Sequence, residues 1–373
     1  MQDIVARYPI GVIDSGVGGL TVLVRLLEKM PDQPFIFLAD QAWCPYGSRP
    51  ATKVVRRIRK LVDYLLGQGC KIIVLACNTA TAAAIEPLRR RYDGTTIKFV
   101  GIEPAVKPAA QNSKTHHIGV LATKGTLAGQ LFQQTAASCA HLAQVHTVVG
   151  EGLVELIEEG KAETQETQQL LQKLLDPLLT QNIDQLVLGC THYPLLRPVL
   201  EKILLPQSVK IIDPAPAVAE QALRVRNQLD AAQLHSPSTA TARLRLLTTR
   251  RDAQLGPFAQ KVFERYGVPY PCNTTEEYLA KSYKRFSSST VRPNQISARK
   301  NTLFGSSYPI NTPGKYLESP YKRFSSSTAP LIQVRARRTL HGASYPINTS
   351  KKCPARSSKR SSSSTERSSQ ARA

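Results

Sequence analysis

No uninterrupted apolar run in this 373-residue chain approaches the ~20 residues that a bilayer-spanning helix requires, so no membrane span is expected. Its seven cysteines are odd in number and scattered, which argues against a disulfide framework. There is no close Cys-x-x-Cys pair, so neither a zinc ribbon nor a dithiol redox motif is indicated. Met1-Gln2-Asp3-Ile4 lacks a basic stretch running into an apolar one, the mark of a secretory signal. A reducing, cytoplasmic setting is therefore expected, in which thiols stay free for chemistry.

Acidic residues are scarce towards the C-terminus. From Val268 onward 19 Lys and Arg face 4 Asp and Glu, whereas the chain up to Gly267 has 30 against 23. Of the net charge of +22, +15 thus belongs to the last segment. That segment is repetitive: Tyr283-Lys284-Arg285-Phe286-Ser287-Ser288-Ser289-Thr290 recurs from Tyr321 to Thr328, and Tyr308-Pro309-Ile310-Asn311-Thr312 recurs from Tyr345 to Thr349. Repeats of such length raise a solenoid. These carry too few apolar residues to stack a core, and residues 268–373 are expected to be a disordered, basic, Ser-rich tail. Its charge allows non-specific contact with nucleic acid, but a solvated extension accounts for it as well.

Up to Gly267 short apolar runs alternate with amphipathic stretches. Strands are predicted at Pro9–Ile13, Phe35–Ala39, Ile72–Ala76, Lys98–Ile102, His117–Ala122, Leu186–Gly189 and Lys210–Asp213, with helices over Lys53–Leu66 and Glu163–Leu179. This alternation predicts an α/β fold of parallel sheets flanked by helices. Ile10-Gly11-Val12-Ile13 is echoed by Ile118-Gly119-Val120-Leu121, and Ile102-Glu103-Pro104-Ala105 by Ile212-Asp213-Pro214-Ala215. Cys77 and Cys190, each at the end of a predicted strand, form a third pair in the same order. Two related α/β halves follow.

The carboxyl ends of strands are where open α/β sheets bind ligands. Two thiols so placed on related halves would face a substrate from opposite sides, as a reaction needs when it takes a proton from one face of a carbon and returns one to the other. A buried free cysteine is more often a small core residue, and that reading holds for Cys70 and Cys139. Cys77 and Cys190 differ in their polar neighbours, Asn78 and Thr79 after the first and Thr191 and His192 after the second. His192 is placed to help Cys190 reach the thiolate state. A metal held by Cys77, Cys190 and His192 has no motif in its favour, and none is expected.

Two loops complete the candidate site. Asp14-Ser15-Gly16-Val17-Gly18-Gly19 follows the first strand and opens a helix, where glycines permit close approach and helix-terminal N–H groups favour an anion. It lacks the Lys-Ser/Thr ending of a P-loop and the dinucleotide glycine spacing, so a carboxylate is as good a guest as a phosphate. Asp14 is either a helix cap or a group that orients a base or binds an ammonium. Ala39-Asp40-Gln41-Ala42-Trp43-Cys44-Pro45-Tyr46-Gly47 is a Pro/Gly loop after the second strand.

Asp14-Ser15-Gly16-Val17-Gly18-Gly19, Pro45-Tyr46-Gly47, Ala76-Cys77-Asn78-Thr79-Ala80 and Gly189-Cys190-Thr191-His192-Tyr193-Pro194 together resemble the glutamate racemases, in order, over Pro9 to Gly267. The wider group, which includes aspartate and hydantoin racemases, shares the paired cysteines but not this set of flanking residues. The resemblance implies two pseudo-symmetric domains, residues 1–98 with 209–267 and residues 99–208, with the site in the cleft between them. It implies cofactor-independent interconversion of L- and D-glutamate for peptidoglycan synthesis, with no cofactor and no metal, and leaves a homodimer open. Cys77 and Cys190 would be the acid/bases for the D- and L-isomers respectively, aided by His192 and Asp14. Asp14, Ser15, Tyr46, Gly47, Asn78, Thr79, Thr191 and His192 would bind substrate, with Thr123 as a further carboxylate-binding position. The alternatives are an aspartate or hydantoin racemase, a racemase body with a nucleic-acid-binding tail, and a thiol redox enzyme.

Overall fold

The computed structural model describes residues 8–229 and 243–279. Its first sheet is founded on β1 (Ile10–Asp14), β2 (Phe35–Ala39), β3 (Ile72–Leu75) and β4 (Lys98–Gly101), its second on β5 (His117–Ala122), β6 (Gln144–Val149), β7 (Gln185–Gly189) and β8 (Lys210–Ile212). The spatial orders are β2-β1-β3-β4 and β6-β5-β7-β8, all parallel, so the second half repeats the first strand for strand. Two further parallel strands, β9 (Leu244–Thr248) and β10 (Thr274–Tyr278), extend the first sheet beyond β2.

Helices fill the crossovers. α1 (Leu20–Lys29), α2 (Ala51–Gly67) and α3 (Asn78–Arg91) follow β1, β2 and β3, and α4 (Val106–Asn112) leads into the second sheet. There α5 (Lys124–Leu127) and α6 (Gln130–Cys139) follow β5, α7 (Leu153–Glu158) and α8 (Gln165–Leu179) follow β6, and α9 (Arg197–Leu204) follows β7. α10 (Ala215–Gln228) and α11 (Leu255–Tyr266) return to the first sheet after β8 and β9.

The central strands are apolar along their whole length because helices cover both faces, and β1, β2, β3 and β7 are buried at every position. In α2, Val54, Ile58, Leu61, Val62 and Leu65 recur at helical spacing and are buried, while Arg56, Arg59 and Lys60 face outward. Each such aliphatic side chain contributes roughly 1.5–3 kcal/mol through burial. One hydrophobic cluster contains Val12, Leu23 and Phe37 from the first half together with Leu121, Leu188 and Tyr193 from the second. The halves thus share a core rather than merely touching. Cys70 and Cys139 are core residues, each 2% exposed.

Three sequence-drawn boundaries move. β4 pairs with β3, so the crossing to the second half comes after Gly101 and not at residue 98. β8 pairs with β7, so residues 210–212 still belong to the second half and the return begins near Ala215 rather than at residue 209. Strands at the seam look alike from either side, and only pairing assigns them. The third correction is the end of the body, placed at Gly267 with a disordered segment from Val268. Val268 and Tyr270 instead pack on the core, Phe263 and Tyr270 meet edge to face at 5.2 Å, β10 pairs with β9, and Leu279 is buried. β10 is an edge strand, mostly exposed, so Thr274-Thr275-Glu276-Glu277-Tyr278 shows no apolar pattern and is held by its backbone ladder and the Arg245–Glu277 pair at 3.1 Å. The repeats from Tyr283 onward lie outside the described residues. Among the described residues no helix is long and apolar enough to cross a membrane.

Candidate active site

Each sheet has a switch point, where the chain leaves the central strand for one side and returns on the other. In the first it lies between β1 and β3, in the second between β5 and β7. Asp14, Ser15 and Cys77 stand at the carboxyl ends of β1 and β3, and Thr123 and Cys190 at those of β5 and β7. The duplicated topology therefore delivers one thiol per half to equivalent positions. Cys77 is 5% and Cys190 7% exposed, so both work in a largely water-free setting.

The two thiols are joined through the first glycine loop. Cys77 Sγ donates to Ser15 Oγ at 3.6 Å, and the neighbouring Asp14 carboxylate accepts from Thr191 Oγ1 at 3.1 Å and from the Gly16 N–H at 2.9 Å. Beyond Thr191, Cys190 Sγ lies 3.8 Å from His192 Nδ1. Asp14 is fully buried, and burial pushes its carboxyl up to about 6 despite the His192 charge and these bonds. Cys77 caps α3, whose first N–H groups favour a thiolate, but burial and then the Asp14 charge push its thiol up to about 12.

His192 is the other pole. Its Nε2–H donates to Glu158 Oε1 at 2.7 Å, and it is 1% exposed. Burial opposes its cation, yet the bonds to Cys190, Cys44 and Glu158 hold its pKa well above that of a free imidazole. Glu158 is likewise opposed by burial and overcompensated by His192, the Val17 N–H at 2.7 Å and Gln41 Nε2 at 3.2 Å, leaving its pKa low. The glycine loop predicted to hold a ligand anion at its N–H groups holds the protein's own carboxylate there. A Cβ at Gly16 would collide with that carboxylate and one at Gly18 with the His192 ring, which is why both positions lack side chains.

Glu158 is the functional residue that sequence reasoning missed. It ends a short helix among other glutamates, Glu155 and Glu159, and nothing local distinguishes it.

On the opposite wall, Thr79, Thr123 and Thr126 form a hydroxyl cluster with Oγ1 separations of 2.8, 3.4 and 2.9 Å, and the Gly125 N–H donates to the Gly47 carbonyl at 3.1 Å. Thr123 thus lies against Gly47 and Thr79, across the two halves. Asn78 is 3% exposed and, among the described residues, neither atom of its amide has a hydrogen-bond partner, which leaves a donor and an acceptor for a guest. Tyr46 has its hydroxyl engaged within the protein: it donates to Asp40 at 2.6 Å, and Asp40 is further held by Arg57 at 2.8 and 2.5 Å and by Thr249 at 2.8 Å. This buried ion pair fixes the loop, leaving its main chain at Gly47 to face the cleft. Cys44, Glu158 and His192 also bring ligating atoms within 4.8 Å of one another, a grouping the sequence did not indicate.

Two buried thiols, one from each half, with a carboxylate, an imidazole and hydroxyls linking them, make a set of groups able to take up and release protons. Comparison with known proteins points the same way. The glutamate racemase of Ectopseudomonas mendocina is 46% identical over 223 residues, 60% of this chain and 84% of that one. The glutamate racemase of Herpetosiphon aurantiacus is 40% identical over 252 residues, 68% of this chain and 96% of that one. A crystal structure of Escherichia coli glutamate racemase in complex with L-glutamate and the activator UDP-MurNAc-ala superposes with a TM-score of 0.61 at 28% identity, covering 73% of this chain and 98% of the other. With residues 10–222 matching the family model for Asp/Glu/Hydantoin racemase, the chain belongs to the Asp/Glu/hydantoin racemase family.

Proposed function

We propose that the protein is a glutamate racemase that interconverts L- and D-glutamate without a cofactor, its D-glutamate serving peptidoglycan synthesis. The observation that carries this reading is the placement of Cys77 and Cys190 at equivalent strand ends of two topologically identical sheets, both buried and linked through Ser15, Asp14, Thr191 and His192. Relatives named glutamate racemase add the substrate.

In this mechanism Cys190, beside the His192 cation, is the thiolate that takes the α-proton of L-glutamate. Cys77, kept protonated by burial and Asp14, returns a proton to the opposite face. The roles reverse for D-glutamate. An α-carbanion of an amino acid has no internal electron sink, so fixed donors must hold the charge that develops on the carboxylate. The Asn78 amide and the hydroxyls of Ser15, Thr79, Thr123 and Thr191 are such donors, and Asp14 faces the substrate ammonium. Exclusion of water strengthens each of these contacts.

The test is solvent-deuterium incorporation. The purified chain, with no cofactor added, should exchange the α-proton of both glutamate enantiomers and racemise them. Faster turnover of aspartate or a hydantoin in a substrate panel would reassign the substrate, and absence of exchange with all of them would overturn the reading.

A further inference from the structure

Cys44 has no part in the two-thiol reaction, yet it lies in the wall of the site. It follows the turn after β2, where it is partly exposed, and its sulfur lies within 4.8 Å of a ring nitrogen of His192. Its Sγ and the Glu158 carboxylate both crowd Gly16, the sulfur lying 3.0 Å from where a Cβ would stand. One ligating atom each from Cys44, Glu158 and His192 falls within 4.8 Å of the others.

We propose that Cys44, Glu158 and His192 bind one borderline-soft divalent cation, Zn2+ being the best match, and that this occupancy arrests turnover. A thiolate, an imidazole and a carboxylate are a donor set that zinc accepts and that magnesium and calcium do not favour. Three protein ligands with one open position make a common zinc geometry, with metal–ligand bonds of ~2.0–2.3 Å. Tetrahedral bonds of that length place ligand atoms roughly 3.3–3.8 Å apart, a contraction that rotation of Cys44 on its partly exposed loop supplies. The cation replaces the Nε2 proton that His192 donates to Glu158 and displaces that of the Cys44 thiol, both passing to solvent. Affinity therefore rises with pH.

The arrest of turnover rests on the proposed function, because a metal on the imidazole removes His192 from proton exchange with Cys190. Binding itself does not rest on it. The closing experiment is a titration of the full chain with Co2+, which reports thiolate ligation by a sulfur-to-metal charge-transfer band whether or not the protein is active. One equivalent should give that band, Zn2+ should displace it, and Cys44→Ser should abolish it. Cys77→Ser and the separate variants Cys272→Ser and Cys353→Ser should retain it. Zn2+ should inhibit racemisation at least tenfold more strongly in the unaltered chain than in Cys44→Ser. A band that persists in Cys44→Ser, or that vanishes in Cys77→Ser, would overturn the site. Equal inhibition of both proteins would overturn its link to turnover.

Discussion

The two halves carry the same strands in the same order and a cysteine at the same place, yet they surround the two thiols differently. Around Cys77 the partners are the Ser15 hydroxyl, the N–H groups that open α3 and the nearby Asp14 carboxylate, whose charge opposes a thiolate. Around Cys190 the partner is a buried imidazole whose cation is sustained by Glu158. Duplication fixes where the thiols stand, and the substituted neighbours make their surroundings unequal in charge. Symmetry of position with asymmetry of charge is what distinguishes the two sites.

The sharpest way to break this comparison is to remove either thiol. Cys77→Ser and Cys190→Ser should each abolish racemisation, by a factor on the order of 10³ or more, because a serine hydroxyl is too weak an acid/base for either face. With a substrate bearing a β-leaving group, each variant should still eliminate from the one enantiomer whose proton its remaining thiol reaches. Near-normal racemisation in either would sink the two-thiol assignment.

Smaller losses should follow on the cationic side. His192→Asn should lower kcat from L to D more than from D to L, with KM compensating so that the equilibrium between enantiomers stays near unity. Equal loss in both directions would reduce His192 to a positioning residue. Glu158→Gln should cost about tenfold in kcat and move the alkaline limb of the pH–rate profile to lower pH. The sign follows from the charge: without Glu158 the imidazolium loses its anion, so it deprotonates earlier as pH rises. An unmoved alkaline limb would mean that His192 is not the group being titrated.

The smallest effect concerns stability. Asp14 titrates near 6 in the fold against an ordinary 3.8, so the folded state binds its proton more tightly and loses stability as pH rises between those values. The cost above pH 6 is on the order of 3 kcal/mol. Asp14→Asn, which keeps the shape and most hydrogen bonds, should therefore raise the denaturation midpoint at pH 8 while losing activity, and the gain should fade below pH 4. Equal midpoints at pH 8 would show that the burial cost is already offset.

Much of this was legible before any coordinates. The central strands announce themselves because both faces are buried, which writes an unbroken apolar run such as Ile72–Leu75 into the sequence. Edge strands hide for the converse reason: β6 and β10 are half or mostly exposed and read as ordinary polar chain. The site residues next to the cysteines were visible through local sequence. Glu158 and Cys44 were not, because their proximity to His192 arises only when α7 and the turn after β2 are packed against the glycine loop. Tyr46 was visible as a site residue, but its side chain answers to Asp40, a long-range partner that sequence spacing does not reveal.

The hydroxyl cluster of Thr79, Thr123 and Thr126, with the Gly47–Gly125 backbone bond, stitches one half to the other at the edge of the cleft. A guest entering by this edge would have to part these few bonds and let them reform. Each is worth only about 1 kcal/mol net in water, which lets thermal motion open the seam rapidly. Thr79 and Thr123, which would grip the substrate carboxylate, would then also close this edge without it. Departure of product and reclosure of the protein on itself are then competing uses of one set of hydroxyls, and loosening that grip should hasten release at the expense of binding.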